Sequence, residues 1–183
     1  MTDLLKYDLI LFDLDGTLAD RDTGKLLPGA KDWFEQHREN FHLAIVSNQG
    51  GVGLRYWMED GGFGEPEKYP TEYDVLARID RVLGNLDVTA QDVAVYICYA
   101  YQSRKGLWSP VPVGCEDDDE WSEKFRKPAP GMLKKAMHQA AGRYIAPEKT
   151  LMVGDRPEDQ QAAQNAGCDF QWAGAFFGRG KPE

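Results

Sequence analysis

The chain has 183 residues, 42% of them apolar, which suits one domain with a single sizeable core. Its formal net charge of −9 disfavours broad contact with nucleic-acid backbones, although a local basic patch is compatible with it. No uncharged apolar run approaches the ~18 residues that span a bilayer. The N-terminal MTDLLKYD lacks the basic-then-apolar pattern of a secretory signal, and the cysteines, Cys98, Cys115 and Cys168, are too scattered for a disulfide framework. These features predict a soluble, cytoplasmic protein with no membrane partner.

In chain order, the first element is the apolar run YDLILFD (7–13), a buried strand that ends in two carboxylates one residue apart, Asp13 and Asp15, followed by Gly16 and Thr17. Residues 29–39 place Trp33, Phe34 and His37 at helical spacing. HLAIVS (42–47) is a second strand, ending at Ser47 and Asn48. Residues 50–70, GGVGLRYWMEDGGFGEPEKYP, are rich in Gly, Pro and acid and are expected to be irregular. Residues 72–85 carry the stripe Val75, Leu76, Ile79, Val82 and Leu83 behind a Thr71 N-cap. DVAVYIC (92–98) is a third strand, and residues 99–125 show no period. Residues 130–141 read as a helix with Met132, Leu133, Ala136, Met137 and Ala140, Pro130 near its start and Gly142 past its end. TLMVGD (150–155) is a fourth strand, followed by a helix over 157–166 that stops at Gly167, and CDFQWA (168–173) is a weaker fifth strand.

The strands show little period-2 alternation, as expected when helices cover both faces of a sheet. Their alternation with helices predicts a single α/β domain over 1–183. Its expected form is a Rossmann-like three-layer sandwich around a mostly parallel five-stranded sheet. Residues 50–70 and 99–125 become irregular loops facing the substrate, since loops of more than about 12–15 residues are usually functional or disordered.

In such a sheet, ligands bind beyond the carboxyl ends of the strands. The first strand ends in Asp13 and Asp15, the second in Ser47 and Asn48, and the fourth in Gly154 and Asp155, with Glu158 and Asp159 close behind. A lone D-x-D at a strand end is ordinarily turn chemistry, and a lone Ser-Asn is ordinarily a cap. The ordered set at successive strand ends points further. Asp13, Asp15 and Asp155 form a group of hard oxygen ligands that needs a cation, and a few carboxylates with open positions suit Mg²⁺. Gly16 permits a sharp turn that presents backbone N–H groups to an anion.

Four segments closely resemble the motifs of the haloacid dehalogenase-like (HAD) phosphatase superfamily. They are DLDGT (13–17), AIVSN (44–48), Lys127 within RKPAPGML (126–133), and GDRPED (154–159). SNQGG (47–51) and RKPAPGML are similar to the motifs of the branch that contains heptose bisphosphate phosphatase, histidinol phosphatase and the phosphatase part of polynucleotide kinase-phosphatase. The resemblance implies Asp13 as nucleophile and Asp15 as general acid and then base. It makes Ser47 and Lys127 phosphoryl-binding groups. Asp13, Asp155 and the Asp15 carbonyl become Mg²⁺ ligands, with Asp159 supporting the metal shell. Asn48 and Arg126 are candidate substrate contacts, and Asn48 and Gln49 could also orient loops. An Arg126 surface salt bridge is as good a reading. Nine residues separate Leu18 from Pro28, which leaves no room for a cap domain there, and 99–125 is short for the later insertion point.

The chain departs from heptose bisphosphate phosphatases at their zinc loop. Ala100 stands two residues after Cys98 where that pattern has His, and Asp117 stands two after Cys115 where it has Cys. No histidine lies in 99–125, so a structural zinc is not expected. Aromatics (Tyr99, Tyr101, Trp108, Trp121 and Phe125) are expected to pack this loop onto the body, or else to offer a stacking platform near Arg104 and Lys105. The acidic run 116–120 reads as a solvated turn. The leading expectation is therefore a Mg²⁺-dependent phosphomonoesterase acting on a small phosphorylated metabolite. A polynucleotide 3′-phosphatase is the alternative, and a binding protein on a disabled fold is the third reading. The resemblance allows a monomer.

Overall fold

The computed structural model describes residues 4–179. Strands β1 (Leu9–Phe12), β2 (His42–Asn48), β3 (Val93–Cys98), β4 (Thr150–Gly154) and β5 (Asp169–Trp172) pair in parallel in the order β3-β2-β1-β4-β5. All five lie where the apolar runs place them. In β1 and β4 every residue is buried, which explains the absence of polar alternation.

Alternate side chains on the strands feed two separate cores. Ile10, Phe12, Ile45 and Val153 pack with Trp33 and Phe34 of α1 (Ala30–His37) and with Val75, Ile79, Val82 and Leu83 of α3 (Glu72–Asn85). Leu9, Leu11, Val46 and Met152 pack on the opposite face with Met132, Leu133 and Met137 of α4 (Gly131–Gln139) and with Ala162, Ala163 and Ala166 of α5 (Pro157–Ala166). The result is the expected three-layer α/β sandwich. No large cap domain interrupts it among the described residues.

Thr71 caps α3 in a reciprocal box with Asp74, which satisfies two of the backbone donors that a helix start leaves open. Gly167 ends α5 in the left-handed conformation at φ 82°.

The segment 50–70 differs from expectation. Residues Gly51–Gly61 form helix α2, and only the remainder is irregular apart from a 3₁₀ turn at Pro66–Lys68. The glycines that argue against a helix have a packing reason. A Cβ on Gly53 would lie 2.3 Å from the Tyr99 carbonyl oxygen, so α2 can approach the end of β3 only without a side chain there. A short helix, α6 (Ala173–Phe176), also follows β5 directly, where the fifth strand was expected to include Ala173.

Residues 99–125 are mostly irregular, as expected. The loop is held by its aromatics: Tyr99, Trp121 and Phe125 are buried, and the Trp121 ring lies 5.5 Å from Tyr99 and 5.8 Å from Tyr56 of α2. Cys98 is a core residue whose Sγ donates to the Ser122 carbonyl at 3.6 Å.

Candidate active site

β1 is the central strand, and the chain builds β2 and β3 on one side of it before crossing to β4 and β5 on the other. The crevice at such a reversal lies at the carboxyl ends of β1 and β4. Asp13 stands there, its N–H donating to the Val153 carbonyl at 2.9 Å. Gly16 turns the chain with φ +85°. A Cβ on Gly16 would fall 2.1 Å from the Asp155 Oδ2, so glycine is what lets this turn close onto Asp155. Thr17 Oγ1 donates to Asp155 Oδ1 at 3.5 Å.

Lys127 reaches the same point from the segment before α4. Its Nζ donates to Asp13 Oδ1 at 2.6 Å, to Asp159 Oδ1 at 2.6 Å and to the Val46 carbonyl at 2.8 Å. All three ammonium donors are therefore satisfied, as burial of this charge demands. Burial opposes the charge, but Asp13 and Asp159 together outweigh it and hold the ammonium above its ordinary pKa. Asp159 is fixed in turn by the Arg156 N–H, which donates to its Oδ2 at 3.1 Å. Gly154 leaves room for Asp159, because a Cβ on it would lie 2.5 Å from the carboxylate.

Ser47 is buried at the end of β2. Gln49 Nε2 donates to Ser47 Oγ at 2.8 Å and to Asp15 Oδ2 at 3.0 Å, so this amide orients two expected site residues at once. Asn48 faces the cleft but has both ends of its amide engaged by the Lys127 backbone at 2.9 Å. Arg126 lies outside the cleft lining, and its Nη1 donates to the Ala100 carbonyl at 3.0 Å. As placed, these two expected substrate contacts brace the Lys127 segment and the loop after β3.

Asp13, Asp155 and Asp159 bring carboxylate oxygens within 4.8 Å of one another, a group able to hold a metal ion. The Asp15 side chain is outside that group. Without a cation this cluster resists full ionisation. Burial pushes the Asp13 carboxyl up to about 7, with Lys127 opposing and Asp159 and Asp155 adding to the rise. Burial and then Asp159 also raise Asp155. A divalent cation among these oxygens relieves both effects, so the donor set fits one.

Three residues of the site are absent from the sequence reading. Arg78 of α3 pairs with Asp15 Oδ1. Arg21 and Arg156 line the cleft beside Lys127 and Glu158. Arg78 has no local signal, since an arginine on an amphipathic helix ordinarily points to solvent.

The model of the polynucleotide kinase 3 phosphatase family matches residues 8–178. The chain belongs to that family. It is accordingly a hydrolase of the HAD-like phosphatases, which act on phosphate monoesters. A crystal structure described as an HAD-like phosphatase from Mesorhizobium loti is 25% identical at a TM-score of 0.56, over 88% of this chain and 69% of that one. The D,D-heptose 1,7-bisphosphate phosphatase of B. bronchiseptica, solved with magnesium and phosphate, has the same fold at 21% identity and a TM-score of 0.57, over 96% of this chain and 89% of that one. No curated protein matches the chain. Among the described residues no helix is long and apolar enough to cross a membrane.

Proposed function

We propose that the chain is a Mg²⁺-dependent phosphomonoesterase working through an aspartyl phosphate on Asp13. The observation that carries this reading is the contact of Lys127 with both Asp13 and Asp159 at the mouth of β1 and β4. A fixed positive charge beside the Asp13 carboxylate, within the cluster able to hold a cation, supports Asp13 as the nucleophile. The Asp13 carboxylate attacks phosphorus in line, and the phosphorus–alcohol bond breaks. Asp15 gives its proton to the departing oxygen and then takes one from the water that hydrolyses the acyl phosphate. Ser47 donates to a phosphoryl oxygen, and Lys127 neutralises charge on the phosphoryl group. Asp13, Asp155 and the Asp15 carbonyl would hold Mg²⁺, and Asp159 keeps Lys127 in place. When bound, the cation offsets the negative charge of carboxylate and phosphate as they approach.

On the substrate, the family match and the uncapped cleft favour a phosphate at the end of a larger molecule, a polynucleotide 3′-phosphate. This reverses the order suggested by net charge. A small phosphorylated metabolite is the second reading, supported by the −9 charge and the acidic run 116–120. A Mg²⁺-dependent phosphate-release screen over sugar bisphosphates, histidinol phosphate, nucleotides and a 3′-phosphorylated oligonucleotide tests both. Preference for the oligonucleotide by orders of magnitude supports the first reading. Preference for a metabolite reverses it, and absence of any turnover returns the scaffold alternative.

A further inference from the structure

Asp15 lies past the end of β1, in the turn that Gly16 opens, where a single isolated bridge to Ala19 replaces the strand pairing. Its carboxylate is nonetheless gripped at both oxygens. Oδ2 accepts from Gln49 at 3.0 Å, and Oδ1 accepts from Arg78 Nη2. Arg78 is 63 positions away in the chain, on the two-turn-distant flank of a helix that is already well anchored. Val75, Ile79, Val82 and Leu83 seat α3 in the core, and the Thr71–Asp74 box caps it. The helix does not need Arg78 to stay in place. The guanidinium is drawn inward all the same, with its Nε buried and without a partner and a second Nη2 contact at 3.3 Å to the Asp20 carbonyl. A buried unpaired donor is unfavourable in itself, so stability of α3 does not account for this placement.

We propose that Arg78 is a positioning residue that fixes the Asp15 carboxyl for proton transfer to the leaving oxygen. The inference rests on the reading of Asp15 as proton donor. As the bond from Asp13 to phosphorus forms, the bond to the alcohol breaks, and its electron pair stays on the alcohol oxygen. The Asp15 proton moves to that oxygen, and Arg78 contributes none. Transfer needs the carboxyl within hydrogen-bond reach of a single atom. The bridge to Ala19 holds the Asp15 backbone but not its side-chain torsions, whereas a guanidinium Nη2 carried on a helix seated in the core restrains the carboxyl itself.

The test compares kcat/KM, with Mg²⁺ present, for two esters. Glycerol 2-phosphate has a poor alkoxide leaving group that needs the proton, and p-nitrophenyl phosphate has a good one that does not. In Arg78→Ala the alkyl ester is expected to lose about 10–100-fold, part of the ~10²–10⁴ that general acid catalysis supplies, and the aryl ester no more than about 3-fold. Arg78→Lys recovers part of the loss, and Asp15→Asn shows the same split at larger size. Arg78→Met retains the aliphatic stem and stands in if the alanine variant unfolds. If Asp15→Asn shows the split but the Arg78 variants lose both esters equally, or neither, Arg78 only braces α3 and the proposal fails alone. If Asp15→Asn shows no split, or the wild type turns over neither ester, the proton-donor reading fails and takes the proposal with it.

Discussion

Asn48 grips Lys127 by its backbone: the Asn48 Nδ2 donates to the Lys127 carbonyl and its Oδ1 accepts from the Lys127 N–H, both at 2.9 Å. The end of β2 is thereby tied to a segment 79 positions away, and the Lys127 ammonium is aimed without any contact to the ammonium itself. Replacing Asn48 with Ala removes both bonds and leaves two backbone groups to find other partners, at about 1–3 kcal/mol. The expected outcome is a lower melting temperature and a kcat reduced about 10-fold or more, a misplacement effect. Asn48→Asp keeps the acceptor and loses the donor, and should fall between the two.

Asp13 gives a pH signature in metal-free protein. Its folded carboxyl is pushed up to about 7 by burial, against about 4 when unfolded. The folded state therefore binds this proton more tightly. The contribution is fully present below pH 4 and is lost as pH rises through about 7. With EDTA present, the melting temperature of the wild type should fall over that window relative to Asp13→Asn. Mg²⁺ should flatten the difference, while Asp13→Asn remains inactive at every pH. A parallel course for wild type and variant would mean that Asp13 carries no such strain.

Two of the cysteine thiols are silent for a physical reason. Burial pushes Cys98 and Cys168 up to about 12. Cys115 is partly exposed, although its bond to Asp118 raises it as well. At pH 8 a disulfide reagent should titrate Cys115 alone, and slowly, in the native protein. Cys98 and Cys168 should react only after denaturation.

One substitution should have opposite signs in two helices. Gly84→Ala, in α3, meets nothing within 4 Å and should stabilise by ~0.5–1 kcal/mol through helix propensity. Gly53→Ala, in α2, gains the same propensity but drives a methyl to 2.3 Å from the Tyr99 carbonyl. The overpacking cost of ~1–3 kcal/mol wins there. Thermal melts of the two variants check this directly, and the Gly53 change should also lower activity by shifting the helix that follows Ser47, Asn48 and Gln49.

Much of this was legible because the relevant signals are local. Strands buried on both faces read as apolar runs, and the polar residues at their carboxyl ends, Asp13, Ser47 and Asp155, fall where a parallel sheet places them. The roles that escaped are those set by contacts distant in the chain. Gly53 marks a close approach to Tyr99, yet in sequence it reads as a helix breaker. Arg78 reads as one more solvated charge on α3, because only the packed fold shows it turned toward Asp15. Asn48 was a candidate substrate contact or loop-orienting residue, and Arg126 a candidate substrate contact or surface salt bridge. Their polar atoms meet the Lys127 backbone and the Ala100 carbonyl, partners that no spacing rule supplies.

The crossing of the chain from β3 to β4 has a consequence for how the protein comes into being. The acids Asp13 and Asp15 leave the ribosome early, whereas Lys127, which balances Asp13, arrives more than a hundred residues later, and Asp155 and Asp159 later still. A nascent chain that ends before β4 has three of the five strands, without the neighbour that closes β1 on its other side. The acidic cluster and its balancing lysine thus come together only once the chain has passed Asp159, and a product that stops before β4 is expected to be silent rather than partly active.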